Sequence, residues 1–416
     1  MSLRRRLGSD WGRLGMTSEW NYSTINDVCV LVTDGSHSSP KSVHDGEYMV
    51  SVKDFTDYGF DFSSCRMISH DDYEVLKRNG CVPQIDDILI GKDGARFFED
   101  IIIYRQREKP ALLSSIAILR CDKSKILPDF LYYALRTPSF KQDVKDNYGS
   151  GSAIPRIILK DFKRMMVSYP SLEKQRSIIS VLTAIDSKIQ ANTEINDNLE
   201  QQAQSYFQEL FVDNADPEWA IGTISDLGTV VGGSTPSKAK PEYYTESGIA
   251  WITPKDLSIN KSKFVSHGEN DITELGLKNS SAAIMPAGTV LFSSRAPIGY
   301  IAIAAGEVTT NQGFKSVVPK PEIRTPFVYF FLKNTLPVIE GMASGSTFKE
   351  VSGSTMKNVP AVIPDAETLA KFSDFCAPIF AQQRILEEQN QSLATLRDNL
   401  LPKLMSGEID VSAVQL

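Results

Sequence analysis

The chain repeats itself over a long span. GSGSAIPR at 149–156 returns as ASGSTFKE at 343–350, 194 residues later, and the register then holds without a gap. IILKDFKRMMVSYP (157–170) lies over VSGSTMKNVPAVIP (351–364), and Glu173, Ile185, Leu199 and Leu210 fall over Glu367, Ile379, Leu393 and Leu404. Upstream, with small gaps, INDV (25–28) mirrors ISDL (224–227) and SVKDF (51–55) mirrors TPKDL (253–257). DDILIGKDGA (86–95) likewise mirrors GTVLFSSRAP (288–297), and DFLYYALRT (129–137) mirrors PFVYFFLKN (326–334). A repeat of this length constrains the fold more than any single motif does. It predicts two copies of one unit, each a globular region of roughly 150 residues followed by a helical region of roughly 40.

In the helical regions apolar residues recur at three- and four-residue steps, the mark of one helical face. They are Ile178, Leu182, Ile185, Ile189, Ile195, Leu199, Tyr206 and Leu210, then Phe372, Phe375, Ile379, Leu386, Leu393, Leu396, Leu400 and Leu404. A capping residue precedes each run, Ser171 and Asp365. Forty helical residues make a rod of about 60 Å. So long an apolar seam calls for another long helix, and the repeat supplies one, so the two are expected to pair antiparallel as a coiled coil. The stripe reads chiefly as that seam, and the remaining faces, including Ile195, Tyr206, Phe207, Leu386 and Leu400, as partner-docking surface.

The globular regions read as mixed. Short β-rich runs (YMVSV, DDILIG, SSIAIL; IAWIT, GTVLFSS, IGYIAIA) are separated by turn residues and interrupted by one helix, at 129–146 or 325–341. The expected fold class is α+β with an internal pseudo-two-fold repeat. The segments are an N-terminal extension (1–20), the first globular region (21–170), a central long helix (171–213), the second globular region (214–364) and a C-terminal long helix (365–416).

Charge sharpens the division. The net −7 partitions as +1 over 1–170, −5 over 171–216, +1 over 217–364 and −4 over 365–416. The acidity sits on the helical regions, so each near-neutral globular region is free to carry one basic face, with weak, salt-sensitive nucleic-acid binding by the isolated chain. No apolar run reaches membrane-helix length and the start has no signal-peptide core, which points to the cytoplasm. Five scattered cysteines without C-x-x-C spacing, and four histidines in no ligand pattern, give no disulfide framework or metal site.

Catalytic motifs are missing from the sequence. GSGSAIPR has no Gly-Lys-Ser/Thr to follow its glycines, so it is not a phosphate-binding P-loop. Neither a methyltransferase Asn/Asp-Pro-Pro-Tyr/Phe motif nor a G-x-S-x-G elbow occurs. Asp86-Asp87 aligns with Gly288-Thr289 in the other copy and reads as a solvated turn before a strand rather than a metal-ligand pair.

Several features together resemble the specificity subunit of type I restriction-modification systems, over residues 20–410. They are the two divergent globular regions alternating with similar helices, the S-G-S-x closings, and Lys53-Asp54 and Lys255-Asp256 after a strand. Thr310-Asn311-Gln312-Gly313 and the ending LRDNLLPKLMSGEI (396–409) complete the pattern. The first copy has Ser114-Ser115-Ile116 where the second has Asn311-Gln312-Gly313, so that feature transfers to one domain only. The resemblance implies a non-catalytic subunit that binds double-stranded DNA, each globular domain reading half of a split, asymmetric target. The helices would set the gap and dock two methyltransferase (modification) subunits carrying adenine-N6 methylation with S-adenosylmethionine. Restriction/translocase subunits with ATP and magnesium would complete the complex.

Under that reading, DNA contacts are expected from polar and basic residues of the matched loops: Lys53, Lys92, Arg96, Ser150, Ser152 and Arg156 in the first domain. In the second they are Lys255, Ser293, Ser294, Arg295, Asn311, Gln312, Ser344, Ser346 and Lys349. GSGSAIPR itself reads either as a turn approaching the DNA backbone or as a purely structural turn. The rival reading is a coiled-coil scaffold whose globular domains bind protein or carbohydrate. It explains the rods and the acidity but not the pattern of loops.

Overall fold

The computed structural model describes residues 20–149, 155–345 and 349–411. They form two compact units. The first takes the described residues up to Ser187 together with those from Leu393 onward, and the second is Lys188–Ser392. Each unit thus holds one globular region and a portion of both long helices, Leu172–Gln208 and Ala366–Ser406.

The two globular regions follow one plan. Each opens on a strand paired antiparallel with the strand that closes it: Asn21–Thr24 with Met166–Tyr169, and Ala220–Thr223 with Pro360–Ile363. A one-turn helix follows in each, started by a capping box, Thr24 with Asp27 and Thr223 with Asp226. An antiparallel sheet comes next, ordered Cys29–Asp34, Ile116–Cys121, Ile88–Gly91 and Ile101–Ile103 in the first region. Its counterpart runs Gly228–Gly232, Lys315–Pro319, Val290–Ser294 and Ile298–Ala304, with Phe264–Val265 added parallel at the edge. A smaller sheet ends on a parallel pair in both: Glu47–Val50 with Ala111–Leu112, and Ile249–Ile252 with Thr309–Thr310.

The expected strands all form. The helix expected at 129–146 is instead two, Pro128–Arg136 and Pro138–Asn147. Pro138 has no N–H to continue the first helix and holds Thr137 extended, and Thr137 then caps the second helix. Its counterpart Thr325–Met342 stays whole, with Pro337 inside it. Ala366–Ser406 likewise runs on through Pro378 and Pro402, then stops where Gly407 takes φ +78°.

The apolar stripe on the long helices also packs against the globular regions. Ile178 and Leu182 belong to the core of the first globular region, with Leu401, Leu404 and Met405, and Leu400 packed against it. Phe372 and Ile379 belong to the core of the second, with Phe207, Ala203 and Phe380, and Leu199 packed against it. Both helices enter each cluster, and Phe207 and Tyr206 of one pack on Phe372 of the other, so the stripe serves helix–helix and domain–helix contacts at once and buries Phe207, expected on a partner face. Leu386, also expected there, is buried, as is Ile185, whereas Ile189 and Leu393 are half-buried.

Toward the middle of the helices polar groups do much of the pairing. In the second unit Asn192, fully buried, donates to Asn390 Oδ1 at 2.9 Å, and Gln383 donates to the Asn196 carbonyl at 3.2 Å. In the first, Arg397 reaches Asp186 at 2.9 Å and Tyr133 donates to the same carboxylate at 2.7 Å. Both sets run antiparallel. A buried asparagine pairs well at only one register, so it fixes axial alignment at some expense of stability.

A buried charge cluster ties the second globular region to both helices. Lys263 Nζ lies 2.7 Å from Glu200 Oε2, 2.9 Å from Gln383 Oε1 and 3.5 Å from the centre of the Phe380 ring. Lys333 Nζ binds the other Glu200 oxygen at 2.5 Å, and Glu387 accepts the backbone N–H groups of Lys263 and Phe264. Burial raises the Glu200 pKa, but the two ammonium charges and their hydrogen bonds outweigh it and hold the carboxyl at about 2. Between about 2 and the ordinary value of 4.5 the unfolded chain carries the extra proton, so stability rises with pH across that window. Glu200→Gln is expected to flatten this acid limb and to cost about 3 kcal/mol at neutral pH by leaving Lys263 buried and unpaired. Urea unfolding between pH 2 and 7, against the parent chain, checks both.

Candidate nucleic-acid interface

Three chain segments meet at the same place in each globular region. The first is the turn holding Lys-Asp. Asp54 is buried and accepts from Ser51 N at 2.7 Å; Asp256 is buried and accepts from Thr253 N at 2.7 Å. The aspartate is therefore the cap that shapes the turn, and the lysine before it, Lys53 or Lys255, is left exposed. Lys255 pairs with Glu269 at 2.6 Å, both on the surface.

The second segment follows the parallel strand, Leu113–Ser115 or Asn311–Gly313. Its first residue donates to the strand before the Lys-Asp turn: Leu113 N to Val50 O and Asn311 N to Ile252 O, both at 3.0 Å. The third is the segment after the S-G-S-x closing. A single residue at a strand end joins segments two and three. Lys92 donates its N–H to Ser115 O (2.9 Å) and accepts from Ile157 N (3.0 Å). Ser294 donates to Gly313 O (2.7 Å) and accepts from Val351 N (3.0 Å). These bonds match Ser115 with Gly313, so Asn311-Gln312 answers to Leu113-Ser114, one residue off the alignment by sequence alone.

This frame sorts the expected contact residues. Lys53, Arg96, Arg156, Lys255, Gln312, Ser344 and Lys349 are exposed, and Arg295 and Asn311 are half-buried. Arg96 pairs with Asp100 at 2.7 Å, and Asn311 Oδ1 accepts from Gly313 N at 2.8 Å. Ser344 bridges to Glu350 through the backbone, as Asp93 does to Arg156. Ser150, Ser152 and Ser346 lie outside the described residues.

Three expectations are overturned by burial. Lys92 is buried, with its ammonium 3.3 Å from Asp34. Ser293 and Ser294 are wholly buried: Ser293 Oγ donates to Pro297 O and accepts from Tyr300 N, and Ser294 Oγ donates to Gly313 O. All three spend their polar groups holding loops, so none offers a free surface group. Asp86-Asp87 is no solvated turn either. Asp87 is buried in a two-pronged pair with Arg120, both contacts 2.8 Å, and Asp86 pairs with Arg105 and Lys123. Among the described residues no three His, Cys, Asp or Glu side chains gather as a metal site.

A further loop escapes the sequence reading. After the first strand, TDGS (33–36) and VGGS (231–234) occupy matching places. Ser36 N donates to Leu112 O and Ser234 N to Thr310 O, at 2.7 and 2.9 Å. Thr235 then donates to the side-chain oxygen of Gln312, setting that amide's orientation. The doubled Gly-Ser was the available signal. Glycine is required because a Cβ on Gly35 would lie 2.3 Å from Leu112 O, and one on Gly233 1.9 Å from Asn311 O.

The duplicated loop frame exposes basic groups in both copies and the Gln312 amide in the second, and comparison with known proteins gives the chain a family. The profile described as "Type I restriction modification DNA specificity domain" matches twice, at residues 17–201 and 217–396. The chain belongs to the type I restriction-modification DNA specificity family. It is similar to the type I restriction enzyme MjaIX specificity subunit of Methanocaldococcus jannaschii, 39% identical over 194 residues. That match covers 44% of this chain and only 45% of that protein. The HindI specificity subunit of Haemophilus influenzae is 24% identical over 363 residues, 68% of this chain and 78% of that one. In fold the chain resembles the crystal structure of the type I restriction-modification S subunit from M. genitalium, with a TM-score of 0.55 at 16% identity. That superposition covers 94% of this chain and 96% of the other.

Within this specificity-family chain the close approach at Gly233 is a sensitive point. Gly233→Ala forces the 233–235 loop off segment two and is expected to cost about 2 kcal/mol, an overpacking cost. Gly306→Ala, where a Cβ meets nothing, is the control and should leave the thermal midpoint near the parent's.

Proposed function

We propose that this chain is the DNA-reading, non-catalytic subunit of a type I restriction-modification complex. Each globular region recognises one half of a split, asymmetric duplex sequence. The observation that carries this reading is the duplicated frame: one set of main-chain bonds occurs twice and presents different side chains each time. The turn lysine is common to both, Lys53 and Lys255, whereas Ser114 and Arg156 stand in one copy where Gln312 and Glu350 stand in the other. Two different half-sites are what such a pair reads. Lysine and arginine contact phosphates and guanine, and Asn311 and Gln312 suit adenine edges.

The long helices run unbroken from one unit into the other, so the number of helical residues between the globular regions is fixed. Under this reading that number sets the gap between half-sites, as rigid spacing does for other paired readers. Two modification subunits dock on the helices, where Ile195, Phe375, Ile385 and Leu396 remain exposed. They bring S-adenosylmethionine and adenine-N6 methylation. Restriction/translocase subunits bring ATP and magnesium, and the whole works in the cytoplasm. Among the described residues no helix is long and apolar enough to cross a membrane.

The test is a methylome. Co-expressed with its modification subunit in a methylation-free host, the chain is expected to produce N6-methyladenine in one asymmetric split motif that is absent without it. No new motif, with both proteins soluble and co-purifying, turns the reading toward a coiled-coil scaffold. In the same complex, Lys255→Ala is expected to lower the log–log salt slope of duplex binding by about 0.9 while leaving the motif unchanged. Filter binding across a salt series measures this.

A further inference from the structure

The strand-end position carries opposite charges in the two copies. In the first, Asp93 follows the strand and Arg156 lies on the segment bridged to it; in the second, Arg295 follows the strand and Glu350 lies on that segment. The two positions carry opposite charges in both copies with the polarity reversed, joined through the backbone in the first and through an ion pair in the second. What surrounds the pair differs more.

In the first copy Lys92 lies 3.3 Å from Asp34 and 3.8 Å from Asp93, so one buried cation serves two carboxylates. In the second, Ser294 stands at the place of Lys92 and Gly232 at that of Asp34. The cross-strand partner of Gly232 is Lys315, whereas the partner of Asp34 is Ala117. The second cluster therefore has two cations, Arg295 and Lys315, for one carboxylate. Its contacts are also long: Glu350 is 3.4 Å from Arg295 and 3.8 Å from Lys315, against 2.7 Å for the Lys263–Glu200 pair of the same unit. Charge-assisted bonds close to 2.7–2.9 Å when well made. Lys315 also donates to Gln312 O at 3.4 Å, which puts the cluster at the edge of the Asn311-Gln312 segment.

We propose that Arg295 and Lys315 form a phosphate site of the second domain, and that Glu350 occupies it as an internal competitor when no duplex is bound. This rests on the DNA-reading function above and adds a regulation to it. A backbone phosphate brings the same charge on two free oxygens, is held by its neighbours along the strand, and displaces the carboxylate from its long contacts, after which Glu350 repels the duplex unless the cognate base contacts hold the strand in place. Non-cognate DNA loses most by this, so the carboxylate sharpens discrimination. The cluster of the first domain has carboxylates in excess over its lysine, which makes the device one-sided.

The test uses the chain assembled with its modification subunits, and 30-base-pair duplexes with and without the methylated motif. Glu350→Gln is expected to bind the motif-free duplex about tenfold more tightly at low salt, with a log–log salt slope steeper by about 0.9. The motif duplex gains less, so the specificity ratio falls. Lys315→Gln is expected to weaken both duplexes and flatten the slope by about the same amount. If Glu350→Gln binds motif-free duplex no better than the parent, Glu350 is only a latch on its loop and the proposal is overturned. The same holds if Lys315→Gln leaves the slope unchanged. A parent complex that binds neither duplex overturns the DNA-reading function as well, which separates the two failures.

Discussion

A helix that serves two cores has to change what it buries along its length. Leu172–Gln208 gives Ile178 and Leu182 to one hydrophobic core and Ala203 and Phe207 to another. Ala366–Ser406 does the same in reverse order, with Phe372 and Ile379 in one and Leu401 and Leu404 in the other. Between these apolar ends both helices turn polar, and Asn192 and Asn390 hydrogen-bond where a coiled coil would carry leucine. The rest of the structure depends on this arrangement, because each globular region closes its core only against helix ends contributed by both repeats. Apolar burial supplies the attraction, at about 25 cal/mol per Å², and the buried polar pairs supply alignment.

The duplication is therefore not two independent domains joined by linkers. Each repeat's helix completes its own globular region at one end and the other repeat's at its far end. The buried groups that tie domain to helices differ accordingly. The first unit uses Asp186 with Tyr133 and Arg397, and the second uses Glu200 with Lys263, Lys333 and Tyr329. An acid on the central helix meets the matching helix of the globular region in both, while the partners have been exchanged.

Much of this was legible in the residues. The repeat register, the strand set, the long helices and the family resemblance follow from spacing and order, which are local properties. What was lost depends on contacts across the chain. Ser293 and Ser294 look like loop hydroxyls by composition, yet strand pairing and the Pro297 and Gly313 carbonyls bury them. Lys92 looks like a phosphate-binding lysine until Asp34, far away in sequence, neutralises it. Asp87 reads as a turn residue because its arginine, Arg120, lies on another strand. The split at Thr137 was available from Pro138, and the Gly35 and Gly233 loop from the doubled Gly-Ser, had the offset been carried upstream. The charge reversal at Asp93–Arg156 and Arg295–Glu350 was visible in the alignment but has no meaning until the two segments are known to touch.

The loop frame joins its segments through main-chain groups: Lys92 or Ser294 at the strand end, Leu113 or Asn311 after the parallel strand, Ser36 or Ser234 after the first. Such bonds are indifferent to exposed side chains, and the constrained positions are the glycines of close approach, the capping Asp54 and Asp256, and the buried Lys92, Ser293 and Ser294. The exposed positions can therefore be exchanged one at a time without refolding the domain. A surface built this way is evolvable: its exposed side chains can be rewritten on a fixed support, and the two copies in this one chain are already two such versions.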